Sequence, residues 1–191
     1  MPSATASPLP PATWLVDFED SFTYNVAAEL TAAGLSCEVV PWRLAREAEM
    51  APRLIVLGPG PGHPDDYAFL PTLAQWWSAG HALAGVCLGH QIIARHLGLS
   101  VERARRPVHG QAETISVAGD WVGLLGPGVA RVQRYNSLAV PERALPAGWR
   151  GWSHEGEIIG LWHARALSYQ FHPDSVGTSC PRRFFAPLAR L

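Results

Sequence analysis

The sequence predicts an α/β fold, with a mostly parallel central sheet, helices on both faces and additional antiparallel strands. Three observations carry this expectation. The first two-thirds of the chain alternates short β-like runs with helical stretches. Those β-like runs are apolar throughout, as strands buried on both faces are. Beyond about residue 100 the runs become closely spaced and are separated by Gly and Pro turns, the texture of mixed or antiparallel strands.

Taken in order, TWLVDF (13–18) reads as a strand and SFTYNVAAELTAAG (21–34) as a helix that Gly34 ends. Asp20 or Ser21 is placed to cap that helix. SCEVVP (36–41) and RLIVLG (53–58) are the second and third strands. DYAFLPTLAQWWSAG (66–80) reads as a helix that Pro71 kinks or delays. HALAGVC (81–87) is a fourth strand and LGHQIIARHLG (88–98) the helix after it. ETISV (113–117), ARVQRY (130–135), GWSHEG (151–156), EIIGLWHA (157–164) and ALSYQF (166–171) are expected to extend the sheet. HEGE (154–157) fits a hairpin turn, and a last helix is expected around 180–190 with Pro181 near its first turn.

With 191 residues, 48% apolar and 16% charged, the chain is long enough for one well-buried domain, expected over 13–191. Residues 1–12, MPSATASPLPPA, lack a basic n-region and an apolar h-region and read as a disordered tail. A net charge of −1 and no basic cluster beyond RARR (103–106) give no support to nucleic-acid or membrane-surface partners. RARR itself reads as a solvated face, or as a contact for an acidic patch. Cys37, Cys87 and Cys180 are too few and scattered for a disulfide framework or a zinc site, so a reducing, cytoplasmic setting is expected.

The chemistry concentrates in three segments. Gly85-Val86-Cys87-Leu88-Gly89 has the layout of a nucleophile elbow with cysteine in place of serine. Glycines on either side are needed there because a Cβ would collide with neighbouring backbone. The sulfur would sit at a helix N-terminus, where partial positive charge lowers a thiol pKa and free N–H groups can hold an oxyanion. A small apolar residue in a tight turn is the plainer reading of the same five residues. A nucleophile needs a base, and His172 is the candidate among eight histidines, because it follows the apolar run ALSYQF at the same sheet edge. Asp174, two residues on, is placed to orient it. In GPGPGHP (58–64) the prolines remove the successive donors of a phosphate cradle. What remains is a stiff turn with isolated N–H groups at Gly60 and Gly62, better suited to an oxyanion.

Together with DFEDSFTYN (17–25), RYNSL (134–138) and QFHPDS (170–175), these segments resemble the class I glutamine amidotransferases, in the family's order. The resemblance spans most of 13–190 and points to the glutaminase subunit of anthranilate synthase and aminodeoxychorismate synthase. It implies a flavodoxin-like fold and the hydrolysis of glutamine to glutamate and ammonia, without metal or organic cofactor. It also implies a chorismate-using synthase as the protein partner, to which the ammonia is channelled. By position, Cys87 is the nucleophile, His172 the base and acid, and Asp174 the third triad member. Gly60 and Leu88 would form the oxyanion hole, and Gly58, Gln91, Ser137 and Leu138 would bind glutamine.

Three residues depart from the family pattern. Asp174 replaces glutamate, shortening the orienting arm by about 1.5 Å. Asn136 stands where histidine is frequent, and Gln111 where lysine is frequent after His-Gly. Asp174 motivates an alternative, a catalytically weak binding or regulatory subunit of the same synthase. A stand-alone hydrolase of γ-glutamyl or peptide bonds is a third reading, disfavoured by DFEDSFTYN and RYNSL.

Overall fold

A computed structural model describes residues 13–48 and 51–191. The tail expected over 1–12 lies outside the described residues. In chain order the elements are β1 (Thr13–Asp17), α1 (Thr23–Ala32), β2 (Cys37–Pro41), α2 (Trp42–Glu47), β3 (Leu54–Leu57), α3 (Leu70–Ser78), β4 (Ala82–Val86) and α4 (Leu88–His96). There follow β5 (Glu102–Arg103), β6 (Gln111–Val117), α5 (Trp121–Leu125), β7 (Gly128–Arg134), β8 (Leu138–Pro141), β9 (Arg150–His154), β10 (Glu157–His163), β11 (Ala166–Tyr169) and α6 (Arg182–Phe185).

Nine strands form the main sheet in the order β2-β1-β3-β4-β11-β10-β8-β5, with β9 paired to β10. The pairs from β2 through β11 are all parallel, and β10, β8, β5 and β9 add antiparallel partners. The parallel part is the flavodoxin-like order, with β11 in the fifth place. Two apolar clusters fill the space on its faces. One joins Leu15, Val56 and Ala84 to Phe171, Phe184 and Trp121, the other joins Val16, Ile55 and Leu83 to Phe69, Leu73 and Ile92. That alternation along each strand is what a sheet covered on both sides requires.

Local chemistry explains the element ends. Gly34 (φ 85°) follows α1, donating to Thr31 O, while Leu35 N donates to Leu30 O, which is a Schellman closure. At the other end the N-cap position is Phe22 and no side chain caps the helix, so neither Asp20 nor Ser21 takes the expected role. The Asp20 carboxylate instead accepts from Phe22 N at 2.8 Å in the turn before it. Pro71 lies in the first turn of α3 and kinks nothing, because a first-turn residue has no intrahelical N–H bond to lose. The stretch before it is a separate 3₁₀ turn, Pro64–Tyr67. Glu155 and Gly156, both at positive φ, form the β9–β10 hairpin turn expected at HEGE.

Two expectations need correction. ETISV and ARVQRY pair with each other as β6 and β7 in a separate two-stranded ribbon and do not extend the main sheet. Their outward faces are exposed, so they lack the two-sided burial of the sheet strands. The last helix is short: α6 gives way to a 3₁₀ turn at Ala186–Arg190, where Pro187 stops the α pattern.

Candidate active site

The elbow is built by close backbone approach. Cys87 sits between β4 and α4 at φ 53°, ψ −102°, a conformation that costs on the order of 1–3 kcal/mol for a residue with a side chain. A Cβ on Gly85 would lie 2.6 Å from Gly89 C, and one on Gly89 would lie 2.1 Å from Leu57 O. Neither contact is tolerable, so both positions require glycine and the turn holds Cys87 in its strained shape.

β11 leads His172 towards the sulfur. It runs parallel to β4 with Tyr169 opposite Val86, and Cys87 N donates to Tyr169 O at 2.8 Å. The chain past β11 therefore leaves the sheet at the edge where Cys87 stands. Gln170 Nε2 lies 3.8 Å from Cys87 Sγ, and His172 follows two residues later on the same side. In the sequence Gln170 reads only as the end of a strand. Its i, i+2 relation to His172 is the signal that places it at the sulfur.

His172 and Asp174 are both buried, and the imidazole Nδ1 is 3.4 Å from Asp174 Oδ1. That contact is a charge interaction without hydrogen-bond alignment: among the described residues Nδ1 and both Asp174 oxygens have no hydrogen-bond partner. Burial works against the imidazolium, yet Asp174 and the Cys87 sulfur outweigh it and raise His172 to about 10. Glu29 on α1 faces the same carboxylate; burial, and then the charge of Asp174, push its carboxyl up. The imidazole packs against two rings, Phe22 at 5.0 Å and Tyr135 at 5.1 Å between centroids.

Two amides near Cys87 are unused. Leu88 N and Gly60 N donate to no backbone or side-chain acceptor among the described residues, whereas Gly89 N donates to Gly58 O. Leu88 is the first residue of α4, where an N–H has no intrahelical partner. Gly60 packs so tightly on Leu88 that a Cβ there would lie 2.4 Å from Leu88 Cδ2.

A cavity of about 140 Å³ opens at this point, lined by Gly60, Cys87, Gln91, Tyr135, Ser137 and Leu138, with Pro61, Gly62 and Asn136 completing it. It is smaller than the roughly 300–1,000 Å³ of sites for larger ligands, which suits one amino acid. Two larger clefts, of about 480 and 490 Å³, open elsewhere and are not lined by Cys87. The small cavity is lined by Cys87, while His172 lines none of the three and lies buried behind Tyr135. Nucleophile geometry and not cleft size selects the site. Gln91 bridges Leu138 O and Gln170 Oε1 through its Nε2, both at 3.1 Å, which leaves its carbonyl oxygen for a ligand. Gly58 does not line the cavity. Its Cβ would meet Val16 O at 2.7 Å, so it joins β1 to β3.

The substrate-facing segment is anchored from behind. Arg134, buried, donates to Glu157 at 2.6 Å, to Glu113 at 3.2 Å and to Asn136 Oδ1 at 3.0 Å. Asn136 Nδ2 then donates to Leu138 O at 2.9 Å. Asn136, which the sequence marks only as a departure, thus fixes the cavity wall.

A strained cysteine at a helix N-terminus, a buried histidine three residues past the adjacent parallel strand and two unpaired amides thus lie in one region of the fold. The sequence pattern described as Glutamine amidotransferase class-I matches residues 14–187. The chain belongs to the class I glutamine amidotransferase family. Aminodeoxychorismate synthase component 2 of Klebsiella aerogenes is 37% identical over 171 residues, covering 85% of this chain and 90% of that protein. The pyocyanine-specific anthranilate synthase component 2 of Pseudomonas aeruginosa is 36% identical over 180 residues, covering 88% of each chain. A solved glutamine amidotransferase of Thermotoga maritima superposes with a TM-score of 0.64 at 20% identity, covering 85% of this chain and 75% of that one, which supports the shared fold. As a class I glutamine amidotransferase the chain has the expected flavodoxin-like architecture. No helix among the described residues is long and apolar enough to cross a membrane.

Proposed function

We propose that residues 13–191 act as one domain that hydrolyses glutamine to glutamate and ammonia and passes the ammonia to a chorismate-using synthase. The observation that carries this reading is the pairing of β4 with β11, which sets the strained Cys87 beside His172. Cys87 Sγ attacks the side-chain amide carbon, and the charge that develops on its oxygen meets the N–H groups of Leu88 and Gly60. His172 gives its proton to the leaving nitrogen, ammonia departs, and a γ-glutamyl thioester remains. The same imidazole takes a proton from water, whose oxygen attacks the thioester and restores the thiol. Asp174, the third member, supplies the negative charge that favours the imidazolium. Gln91, Ser137 and Leu138 hold the amino-acid end of the substrate.

Both anthranilate and aminodeoxychorismate synthase subunits are among the relatives, and the choice of product belongs to the partner. Free cysteines at 37, 87 and 180 fit a reducing cytoplasm. In the complex, Cys87→Ala is expected to abolish glutamine-dependent amination of chorismate and to spare amination fed by ammonium salts. Glutamine hydrolysis surviving in Cys87→Ala would overturn the proposal.

The loose contact between Nδ1 and Asp174 favours one second reading, a binding subunit of weak activity. A glutamine-analogue diazoketone separates the two: stoichiometric labelling of Cys87 in the complex supports the enzyme, and no labelling supports the binding subunit.

A further inference from the structure

Asp174 is too far and too poorly aligned to fix the plane of the His172 ring, yet that ring must aim one nitrogen at sulfur and substrate. Other contacts therefore set its orientation. Backbone holds the residue but not the ring: His172 N donates to Gln133 O, and Thr178 Oγ1 donates to His172 O at 2.6 Å. The ring itself touches Phe22, inclined by 58°, and Tyr135, inclined by 82°. These two rings also touch each other, 5.0 Å between centroids, and Tyr135 OH reaches Ser175 Oγ at 3.3 Å. The three rings close a cluster drawn from three distant segments, one pair edge-to-face and two tilted, all at centroid separations that aromatic pairs prefer.

We infer that Phe22 and Tyr135 are positioning residues that clamp the His172 imidazole and take over orienting work that the short Asp174 arm leaves undone. This rests on the proposed roles of Cys87 and His172. Phe22 is the cleaner handle, because it precedes α1 and does not line the substrate cavity, whereas Tyr135 does. The ionisable groups that bear on the imidazole are Cys87 and Asp174, with Glu29 acting on Asp174 from α1. A ring that turns away from the sulfur no longer assists the reaction of the thiol.

The test is the pH profile of Cys87 alkylation by iodoacetamide on the intact chain, read by mass mapping so that Cys37 and Cys180 are scored apart. Wild-type Cys87 is expected to be alkylated faster at pH 6 than Cys37 and Cys180, as a thiol assisted by an adjacent imidazole is. Phe22→Leu keeps apolar bulk without a ring plane and is expected to slow alkylation at pH 6 about tenfold, equal to one unit in the profile. Phe22→Tyr restores the plane and is expected to keep the wild-type profile. If Phe22→Leu does not fold, Phe22→Met carries the same expectation. In an Asp174→Glu background the longer arm can align the ring, so the Phe22→Leu loss is expected to shrink.

A folded Phe22→Leu protein with the wild-type profile would overturn the clamp while leaving the Cys87–His172 pair standing. Equal Phe22→Leu losses with and without the Asp174→Glu substitution would overturn the claim that the clamp substitutes for the arm. Wild-type Cys87 alkylated no faster than Cys37 and Cys180 would remove the Cys87–His172 pair, and the clamp with it.

Discussion

At Asp174 one missing methylene separates a charge contact from a hydrogen bond, since Nδ1 and Oδ1 stand 3.4 Å apart with their remaining capacity unused. Asp174→Glu is therefore expected to raise glutamine turnover about fivefold, or about 1 kcal/mol, the typical net worth of one hydrogen bond. Steady-state ammonia release in the complex checks this, and an unchanged rate would show that the gap costs nothing. Gly89 sets the opposite limit. Its added Cβ would be 2.1 Å from Leu57 O, so Gly89→Ala is expected to lose about 3 kcal/mol or more in urea melts. Residue chemistry was legible where it was local: the glycines, the thiol and the histidine declare themselves by spacing. Gln170 and Asn136 did not, because their partners lie across the fold, at Cys87 and Arg134.

Among elements, the strands buried on both faces and the hairpin at Glu155–Gly156 were readable, since continuous apolar runs and a two-residue positive-φ turn are local signals. β5 and β8 escaped notice because Glu102–Arg103 is two charged residues without an apolar run, and Leu138–Pro141 ends in a proline and reads as a turn. The β6–β7 ribbon was found but misplaced, because sequence registers the alternation of a strand and not the sheet it joins. That ribbon matters to the site, since β7 ends in Arg134. Arg134→Met would leave Glu157, within the core, without its cation. A loss of about 3–5 kcal/mol is expected in denaturant titration, the usual cost of breaking a buried pair by removing one partner. A loss below about 1 kcal/mol would show that Glu157 finds compensation in the Arg105 amide it already accepts from.

Across the whole molecule the flavodoxin-like order converts three separated segments into one site, with GPGPGHP after β3, Cys87 after β4 and His172 after β11. The same burial writes a pH dependence into stability. His90, enclosed between Ser168 Oγ at 2.9 Å and Ile158 O at 3.0 Å, is lowered by burial to about 4. The unfolded chain binds that proton first, so stability is full above about pH 6.5 and falls by about 2 kcal/mol between about pH 6.5 and 5. His172, raised to about 10, acts in the other direction: its contribution is full below about pH 6.5 and is lost as pH climbs towards 10. Urea melts across pH 5–9 are expected to show a maximum near pH 6.5, and His172→Gln is expected to flatten the alkaline side. The most direct measurement is acid quenching of the complex during turnover of isotopically labelled glutamine, followed by mass analysis of the Cys87 peptide. A γ-glutamyl adduct on Cys87, absent in Cys87→Ala, is the predicted result. Sustained ammonia release with Cys87 unmodified at every quench time, and undiminished in Cys87→Ala, would contradict it.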